Sequence, residues 1–587
     1  MYGKMSQMKR YEVRPPAPKE VYEALALYPE FIRDLLFARG ITTIENADRF
    51  LNLSYDDHTH NPFLIAGMKE AVQRIVKAII DNERIVIYSD YDHDGIPGGV
   101  ILHDFFKKIG YKNFSNYIPH RYAEGYGLNQ KAVEKLFEEG ATLIITVDCG
   151  INDVLPVQRA NELGVDVIIT DHHLTQEILP PAFVILNSKQ DHCDYPNEML
   201  CGAAVAFKLV QALLRFPYGE VSDSKQKTLA EHFGVSSGWE KWLLDLVGIS
   251  TIADMVPLVG ENRVLARYGL TVLQKTRRPG LQKLLSRMNI RQNNITEDDI
   301  GFMIAPRINA ASRMGDPRLA FDLLSSVDED GKSGALASEL EKLNNERKGV
   351  VASMVKEMRH ALSEREKILD VVVIGRPSWR PGLLGLAANN ILEEHNRPVF
   401  LWGREGGETL KGSCRSDGSV NLLELMQAVP KGIFGEFGGH AVSGGFSVHP
   451  EKIHYLEDCI IEAYQKTKKE LESKEVLVDK KISVSDVDWP LWDMISLLAP
   501  FGVENPKPLF LLEGEVVKSV RKFGKKEEHT EILFEKGKGT PIKAISFFSA
   551  GLGREVKEGE KINLVANLEK SFFGYRPELR LRIVELL

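Results

Sequence analysis

Cysteine is scarce in this sequence, and apolar runs long enough to cross a bilayer are missing. The 587 residues include five cysteines, none of which stands in a CxxC spacing, which argues against a zinc site and a disulfide framework. Residues 1–14 are polar and basic and lack the apolar core of a secretory signal. We therefore expect a cytoplasmic protein with no membrane partner.

An excess of positive charge is also missing, since the formal net charge is −8. This value does not exclude a nucleic-acid partner, because such binding depends on local patches rather than on the total charge. Residues 505–587 contain 16 Lys and Arg against 12 Glu and no Asp, a local charge of +4. The acidity is therefore concentrated earlier in the chain, where metal-binding carboxylates would account for part of it.

The sequence does contain a series of short apolar runs, each followed directly by acidic residues. Helical segments separate these runs, and strand alternating with helix predicts an α/β domain with a parallel sheet. Ligands of such sheets bind outside the carboxyl ends of the strands, so the acidic clusters are expected to meet there. The runs are residues 83–89 before Asp90, 142–147 before Asp148 and 165–170 before Asp171.

The length and the later part of the chain predict further domains. A chain of 587 residues is too long to fold around a single hydrophobic core, so roughly three or four domains are expected. The polar stretch 333–367 has helical composition and is interpreted as a connector helix. Residues 371–375 (VVVIG) open a second α/β unit. From about 476 onward, apolar and polar residues alternate between Gly-rich turns, which predicts a small antiparallel β-barrel.

The first acidic cluster, DYDHDG, places Asp90, Asp92 and Asp94 on one short turn. Three ionised carboxylates this close would repel one another strongly without a cation, and their oxygens are the ligands that Mg²⁺ and Mn²⁺ prefer. An EF-hand calcium loop would need a glutamate at loop position twelve. That position is Ile101, within an apolar helix, so the EF-hand interpretation fails.

Two further clusters complete the candidate metal site. Asp148 follows the second run, and His172 and His173 follow the third. Adjacent histidines after an apolar strand are rarely core residues, because each imidazole still needs hydrogen-bond partners. Asp254 stands in TIADMVPL after another apolar run and would be a helix cap if taken alone. Together these side chains could hold two divalent ions about 3.5–4 Å apart, the arrangement that hydrolyses phosphoesters.

The motifs DYDHDG, VDCG, TDHH and TIADMVPL resemble, in order and spacing, those of the DHH phosphoesterase superfamily. Within it the chain resembles the bacterial RecJ family of single-strand-specific 5′→3′ DNA exonucleases, roughly from Gly40 to the end. Further matching segments are PHRY at 119–122, GYGL at 125–128, CGA at 201–203, APRINAASR at 305–313, GGH at 438–440 and GGF at 444–446.

The resemblance implies an α/β fold in which a parallel-sheet DHH domain is joined by a long helix to a smaller α/β DHHA1 domain, followed by a C-terminal OB-fold β-barrel. Its nucleic-acid partner would be single-stranded DNA. The implied division is residues 1–60 as an N-terminal segment packing on the catalytic domain, 61–330 as the DHH catalytic domain, 331–368 as the connector helix, 369–468 as the DHHA1 domain and 469–587 as the OB-fold domain.

The resemblance also implies the roles of the metal-site residues. Asp92 would bind one ion, Asp94, His172 and Asp254 the other, and Asp148 would bridge the two. Asp90 and Asp171 would orient the ligands, and His173 would face the scissile phosphate. The sequence departs from the family pattern at Tyr88, where some relatives place a metal-binding histidine. This departure predicts that the first ion is bound more weakly or keeps more water ligands.

The resemblance also implies which residues contact the substrate. Arg121, Asn309 and Arg313 would hold the strand near the cut, and Ser413 and Arg415 would receive the 5′-terminal phosphate, which suits the planar fork of arginine. The backbone at Gly439 and His440 would approach a nucleotide closely. The Trp-His turn of the family is Trp379-Arg380 here. In the barrel, Arg521 and Lys522 would attract the strand electrostatically, and Phe573 would stack on a base.

The expected function is a 5′→3′ exonuclease for single-stranded DNA that uses two divalent ions, Mn²⁺ or Mg²⁺, in recombination and repair. Resemblance adds single-strand-binding protein and a RecQ-type helicase as partners and a monomeric state. One alternative is a phosphodiesterase for short oligoribonucleotides or cyclic dinucleotides, whose chains typically lack the barrel. Another is a catalytically silent replication factor of the same superfamily, which would have lost the metal carboxylates that this sequence keeps.

Overall fold

The structure is a computed structural model that describes residues 10–218, 227–327, 331–404, 409–469, 475–524, 527–537, 541–547, 555–572 and 576–587. Its first domain is built on a five-stranded parallel sheet. The strand order is Phe114–Tyr117, Ile85–Ser89, Leu143–Val147, Asp166–Thr170 and Val184–Leu186. Every residue of Ile85–Ser89 and Leu143–Val147 is buried, as expected for strands covered on both faces.

Helices cover both faces of this sheet. Ile85 and Ile87 point into one apolar core, whereas Val86 and Tyr88 point into the core on the opposite face, as the two-residue period of a strand requires. The helices here are Met68–Ile80, Gly95–Lys108, Gln130–Glu138, Val154–Glu162 and Gly202–Arg215. This confirms the predicted parallel α/β domain.

A helical region follows the sheet. Helices Leu244–Ala253 and Gly260–Leu273 cross closely at Gly248 and Gly269, where an added Cβ at Gly248 would lie 2.6 Å from the Cα of Gly269. Further helices are Leu229–His232, Pro279–Arg287, Glu297–Asp299, Ala305–Met314 and Arg318–Leu324, with a π-helical turn at Ile300–Ile304. The helix Ser333–Ser363 then leads to the next domain, within the stretch expected to be the connector.

The second α/β domain has a mixed five-stranded sheet. The strand order is Phe434–Gly439, Ser443–Val448, Leu410–Arg415, Val399–Gly403 and Val372–Gly375. Its helices are Pro381–His395, Leu422–Ala428 and Ile453–Thr467.

The C-terminal strands close into the predicted barrel, although one neighbouring pair, Ile542–Ser546 and Glu578–Leu586, is parallel rather than antiparallel. Phe510–Phe523, His529–Phe534, Ile542–Ser546, Glu578–Leu586 and Lys561–Ser571 pair in this order, and the last pairs back onto the first. The short strand Lys480–Lys481 pairs in parallel with Phe510–Phe523, and helix Trp489–Ser496 precedes the barrel.

The N-terminal segment packs differently from the expectation that residues 1–60 lie on the catalytic domain. Its helices are Lys19–Ala24, Glu30–Phe37, Ile44–Leu51 and Tyr55–His58. Leu25, Ile32 and Leu36 join the apolar core of the barrel, and only the end of the segment, at Tyr55, joins the catalytic core. The strand Arg10–Val13 pairs with Glu475–Val478 just ahead of the barrel. The reason for this difference is that the apolar face of helix Glu30–Phe37 packs into the apolar core of the barrel.

Arg263 fixes the barrel to the catalytic domain. Its side chain is 1% exposed, and its guanidinium donates to the carbonyl oxygens of Phe50 at 3.2 Å, Ala499 at 3.1 Å and Pro500 at 3.2 Å. One cation from the catalytic domain therefore binds the N-terminal segment and the chain leading into the barrel. Among the described helices, none has both the length and the apolar character needed to span a membrane.

Candidate active site

The DYDHDG loop joins strand Ile85–Ser89 to helix Gly95–Lys108, and its carboxylates are held by backbone donors. The N–H groups of Asp94 and Gly95 donate to Asp92 Oδ1 at 2.8 and 3.2 Å. The two oxygens of Asp94 accept from Gly202 at 2.6 Å and Ala203 at 2.8 Å, at the start of helix Gly202–Arg215. These donors hold the two carboxylates of the loop in place.

Asp148 depends on a glycine that faces it. Its backbone has a φ of 62°, in the left-handed region, and a Cβ added at Gly202 would lie only 2.6 Å from the Asp148 Cβ. The CGA motif at 201–203 is thereby explained, because a side chain at Gly202 would push Asp148 out of the site.

His172 lies among three carboxylates. Its Nε2 is 3.1 Å from Asp148 Oδ1, 3.6 Å from Asp254 Oδ2 and 3.7 Å from Asp94 Oδ2. Burial lowers the pKa of His172 below its ordinary value. A neutral imidazole at neutral pH is the form that binds a metal ion.

The carboxylates form two groups of metal-binding size. The ligand atoms of Asp94, His172 and Asp254 lie within 4.8 Å of one another, as do those of Asp90, Asp92 and Asp148. The first group is the set expected for one ion. The second brings Asp90, expected to orient ligands, beside Asp92 and Asp148.

Buried oxygens without partners mark where the cations fit. Asp90 Oδ1 and Asp148 Oδ1 are buried and accept no hydrogen bond within the described part of the chain. Burial, reinforced by neighbouring carboxylates, raises the pKa of both groups well above their ordinary values. Clustered oxygen donors of this kind suit hard divalent cations, which would reverse those shifts.

Asp171 orients His173. Asp171 Oδ1 lies 2.8 Å from His173 Nδ1 and also accepts the backbone N–H of His172 at 2.7 Å, while Oδ2 accepts from Ile151 at 3.0 Å. Burial acts to lower the pKa of His173, but the hydrogen bond to Asp171 and the charges of Asp171, Asp254 and Asp94 together outweigh burial and raise this pKa to about 9. The contact with Asp171 therefore favours the protonated form of His173.

Two contacts at the site were not among the predicted site residues, although Tyr126 lies in the GYGL segment that matches the family. The Tyr126 hydroxyl donates to the Asp148 carbonyl at 2.9 Å and lies 3.2 Å from His173 Nδ1. Lys189 donates to the carbonyl of His172. Both residues are polar groups on loops, and only the folded chain brings them to the site.

Tyr88 takes no part in metal binding. Its ring is buried on the face of the sheet opposite helix Gly95–Lys108 and stacks on Tyr117 at a centroid distance of 5.2 Å, while its hydroxyl donates to the Gly127 carbonyl at 2.9 Å. The departure from the family pattern therefore removes one potential ligand and replaces it with a core contact.

Two arginines lie beside the carboxylates. The Arg121 guanidinium lies over the Tyr91 ring at 4.8 Å, and Arg313 Nη1 donates to the Gly382 carbonyl of the second α/β domain at 2.7 Å. Burial, followed by the charge of Arg121, lowers the pKa of Arg313 to about 10. Such mutually repelling cations favour an anion between them, as a backbone phosphate would be.

Asn309 contacts the DYDHDG loop in this structure. Its Oδ1 accepts the backbone N–H of His93 at 2.9 Å, and its Nδ2 lies 2.8 Å from His93 Nδ1. The amide thus supports the DYDHDG loop, and in this structure its polar atoms are already engaged.

Ser413 and Arg415 meet in the second α/β domain. Arg415 Nη1 lies 3.2 Å from the Ser413 hydroxyl. A Cβ added at Gly385 would lie 2.6 Å from Arg415 Nη2, so helix Pro381–His395 leaves room for this pair only because Gly385 has no side chain. Gly439 has a φ of 137° and approaches Gly444 closely. The exposed His440 donates its backbone N–H to the Ser443 carbonyl at 2.7 Å.

The remaining predicted contacts lie away from this centre. Arg521 is exposed and pairs with Glu531 at 3.0 Å, and Lys522 is exposed beside it. Phe573 lies outside the described residues. In the Trp379-Arg380 turn, Trp379 is buried and donates to Glu357 at 3.0 Å, whereas Arg380 is exposed.

The affinity of this site for Mn²⁺ is expected to depend on pH. Burial, then the charges of Asp94 and Asp92, raises the pKa of Asp254 to about 8 in the absence of a cation. Below pH 8 a proton must leave Asp254 before an ion binds, and Asp90 and Asp148, whose pKa values are also raised, must lose theirs, so the apparent affinity should rise at least about tenfold per unit between pH 6 and 8. Calorimetric titration in buffers of different ionisation enthalpy measures both affinity and proton release.

The control for this titration is Asp254→Asn, which carries no titrating proton and should bind more weakly with a flatter pH dependence. An affinity of the wild-type chain that stays constant from pH 6 to 8 would contradict the assignment of Asp254.

Family comparisons agree with the division into three folded units. Residues 84–233 match the DHH family, N-terminal domain, residues 366–466 match the DHHA1 domain, and residues 478–585 match the RecJ OB domain.

Whole-chain relatives share one description, single-stranded-DNA-specific exonuclease RecJ. The Bacillus subtilis protein is 34% identical over 585 residues, which cover 99% of this chain and 71% of that protein. The Escherichia coli protein is 30% identical over 552 residues, 91% of each chain. The crystal structure of RecJ in complex with Mn²⁺ from Thermus thermophilus matches with a TM-score of 0.80 at 26% identity, covering 99% of this chain and 80% of that one.

Proposed function

This chain belongs to the RecJ family of the DHH phosphoesterases, and on that premise we propose that it is a metal-dependent exonuclease that degrades single-stranded DNA from the 5′ end. Its cofactors are two divalent ions, Mn²⁺ or Mg²⁺. The observation that carries this proposal is the convergence of the two ligand groups, Asp94, His172 and Asp254 beside Asp90, Asp92 and Asp148.

Bound in these groups, the two cations would supply an activated water and stabilise charge on the phosphate. Asp94, His172 and Asp254 would hold one ion, Asp90 and Asp92 would hold the other, and Asp148 would contribute to both. Asp171 keeps His173 oriented and protonated, so that its cationic imidazole can donate to a phosphate oxygen as negative charge develops there. Arg121 and Arg313 bind the neighbouring phosphates.

Ser413 and Arg415 favour a 5′-phosphate at the end of the strand. We expect Arg415→Ala to raise KM for a 5′-phosphorylated strand about 10- to 100-fold, because a charge-assisted phosphate contact is lost. The same change should alter KM for a 5′-hydroxyl strand about threefold or less. Initial rates on the two strands measure this difference. The exposed Arg404→Ala serves as the matched control, and equal losses on both strands would remove Arg415 from the terminal-phosphate pocket.

Length-resolved digestion tests the proposed polarity. With Mn²⁺, a 5′-labelled single strand should release its label as short products at once, while a 3′-labelled strand should shorten progressively. A chain that leaves both strands intact, or that shortens only the 5′-labelled one progressively, contradicts the proposal. A dinucleotide substrate in the same assay separates this activity from that of a small-oligonucleotide phosphodiesterase.

Several finer assignments belong to the same proposal. The domain division follows the boundaries 61–330, 331–368, 369–468 and 469–587, and the described part of the N-terminal segment up to Leu51 is assigned to the barrel side. We place the enzyme in the cytoplasm as a monomer that serves recombination and repair, with single-strand-binding protein and a RecQ-type helicase as partners. Light scattering on the purified chain tests the monomer, and co-elution with each partner tests the interactions.

A further inference from the structure

A polar loop, residues 187–190, follows Val184–Leu186, the strand at one edge of the parallel sheet. Asn187 is fully buried, Ser188 is 1% exposed and Gln190 is 7% exposed. Because this strand lies parallel to Asp166–Thr170, the loop emerges at the same edge of the sheet as the two adjacent histidines. Buried polar side chains are normally bound to partners, so the partners of this loop show what it holds in place.

Asn187 binds the backbone of His173. Its Nδ2 donates to the His173 carbonyl at 2.9 Å, and its Oδ1 accepts the backbone N–H of Lys189 at 2.8 Å. One amide side chain therefore holds the second histidine and also fixes the backbone from which the Lys189 side chain extends.

Lys189 binds the backbone of His172. Its ammonium group donates to the His172 carbonyl oxygen, and among the described residues this is the one hydrogen bond that the side chain makes. The side chain is half-buried. Holding a lysine in one conformation costs more side-chain entropy than holding a shorter donor, so a lysine is an expensive way to satisfy a backbone carbonyl.

Every backbone polar group of the two histidines is bound by a side chain. Asp171 Oδ1 accepts the N–H groups of His172 at 2.7 Å and of His173 at 3.1 Å. Lys189 and Asn187 bind the two carbonyl oxygens. The preceding strand has already ended, so these side chains replace the sheet hydrogen bonds that would otherwise hold this segment. The backbone that carries the His172 imidazole is thus fixed from both sides.

The ammonium group of Lys189 also lies close to the carboxylates of the site. Burial and neighbouring carboxylates raise the pKa of Asp254, and the charge of Lys189 acts against that rise. A positive charge near Asp254 repels an incoming metal ion. The charge and the hydrogen bond of Lys189 therefore act on metal affinity in opposite directions.

We propose that Lys189 is a positioning residue of the metal centre, which holds His172 in place to bind an ion through the hydrogen bond to the His172 carbonyl. It acts through His172 and makes no contact with the substrate. The inference rests on the proposed function and extends it from the metal ligands to a group that supports one of them. Groups that orient metal ligands contribute about 10- to 100-fold to metal affinity or activity.

Calorimetric titration with Mn²⁺ tests this role by the sign of the change in affinity. Loss of the ammonium charge alone would tighten binding, because a repulsion is removed, whereas loss of the support of His172 would weaken it. We expect Lys189→Met to raise the Kd of one Mn²⁺ ion about tenfold. Lys189→Arg keeps both the charge and the donor, and its Kd should stay within about threefold of the wild-type value.

Steady-state kinetics with saturating Mn²⁺ provide a second readout. Lys189→Met should lower kcat about 10- to 100-fold while KM for a 5′-phosphorylated strand changes about threefold or less, because the arginines that bind the strand stay in place. Lys189→Arg should restore kcat. Lys131→Met removes an exposed lysine from helix Gln130–Glu138 and is the matched control, with wild-type values throughout.

The outcomes separate this inference from the proposed function. A wild-type chain that binds no Mn²⁺ contradicts the proposed function, and the role of Lys189 falls with it. A wild-type chain that binds two ions, while Lys189→Met binds them equally well or more tightly, overturns the inference alone. A Lys189→Met chain with a lowered urea unfolding midpoint and a raised KM would also overturn it, since Lys189 would then support the fold rather than His172.

Discussion

Asp148→Ala is expected to lower kcat at least about 1,000-fold while changing the Kd for single-stranded DNA no more than about threefold. Asp148 Oδ1 is buried without a hydrogen-bond partner in the described structure and lies 3.1 Å from His172 Nε2. Asp148 is also one of the group formed with Asp90 and Asp92. It is therefore the carboxylate best placed to face both cations, and its loss should impair both positions, whereas the arginines that bind the strand stay in place.

Initial-rate hydrolysis and fluorescence anisotropy measure the two quantities for this variant. Asp191→Ala removes an exposed aspartate from a loop of the same domain and should retain wild-type values of both. Activity of Asp148→Ala within tenfold of the wild-type chain would exclude the bridging role. A parallel loss of strand binding would indicate a structural role instead.

Lys208→Met is expected to destabilise the catalytic domain by about 3–5 kcal/mol. Lys208 and Glu261 are both fully buried, and Lys208 Nζ lies 2.6 Å from Glu261 Oε1. The Glu261 carboxylate also accepts from the Tyr195 hydroxyl at 2.7 Å and from the backbone N–H of His60 at 2.8 Å. Removing only the ammonium group would leave a buried negative charge without its counter-charge, which is the costly half of breaking such a pair.

Urea unfolding followed by circular dichroism measures this change. The double variant Lys208→Met/Glu261→Gln carries no unpaired charge and should recover at least half of the lost stability. As a control, Lys19→Met breaks the exposed pair with Glu23 and should cost about 0.5 kcal/mol or less. If Lys208→Met cost no more than Lys19→Met, the buried pair would have no role in stability.

The sheet and most of the metal site could be predicted from the sequence, because local pattern determines both. Apolar runs of strand length end at Asp90, Asp148 and Asp171, and parallel strands bring their carboxyl ends to one edge. No tertiary information was needed to expect these groups to meet. The closed barrel was predictable for a similar reason, from alternation of apolar and polar residues between turns.

What the sequence could not predict depends on contacts between distant segments. The helix Glu30–Phe37 has an apolar face that any core could cover, and only the folded chain assigns it to the barrel. The amide of Asn309 could bind a phosphate or a backbone group. Only the folded chain shows that it bonds to His93 in the DYDHDG loop.

Tyr88 occupies a position where some relatives of the family have a metal-binding histidine. The substitution alone predicted weaker binding of one metal ion, since a potential imidazole ligand is missing. The structure adds that its hydroxyl is bonded to Gly127 and its ring is stacked on Tyr117, so the side chain cannot turn toward the cations without leaving the core.

Anomalous scattering from crystals soaked in Mn²⁺ tests the two-ion centre most directly. We predict two peaks about 3.5–4 Å apart, one within reach of Asp94, His172 and Asp254 and the other within reach of Asp90 and Asp92, with Asp148 between them. The absence of manganese from these carboxylates, or a single ion bound elsewhere in the chain, would contradict the account.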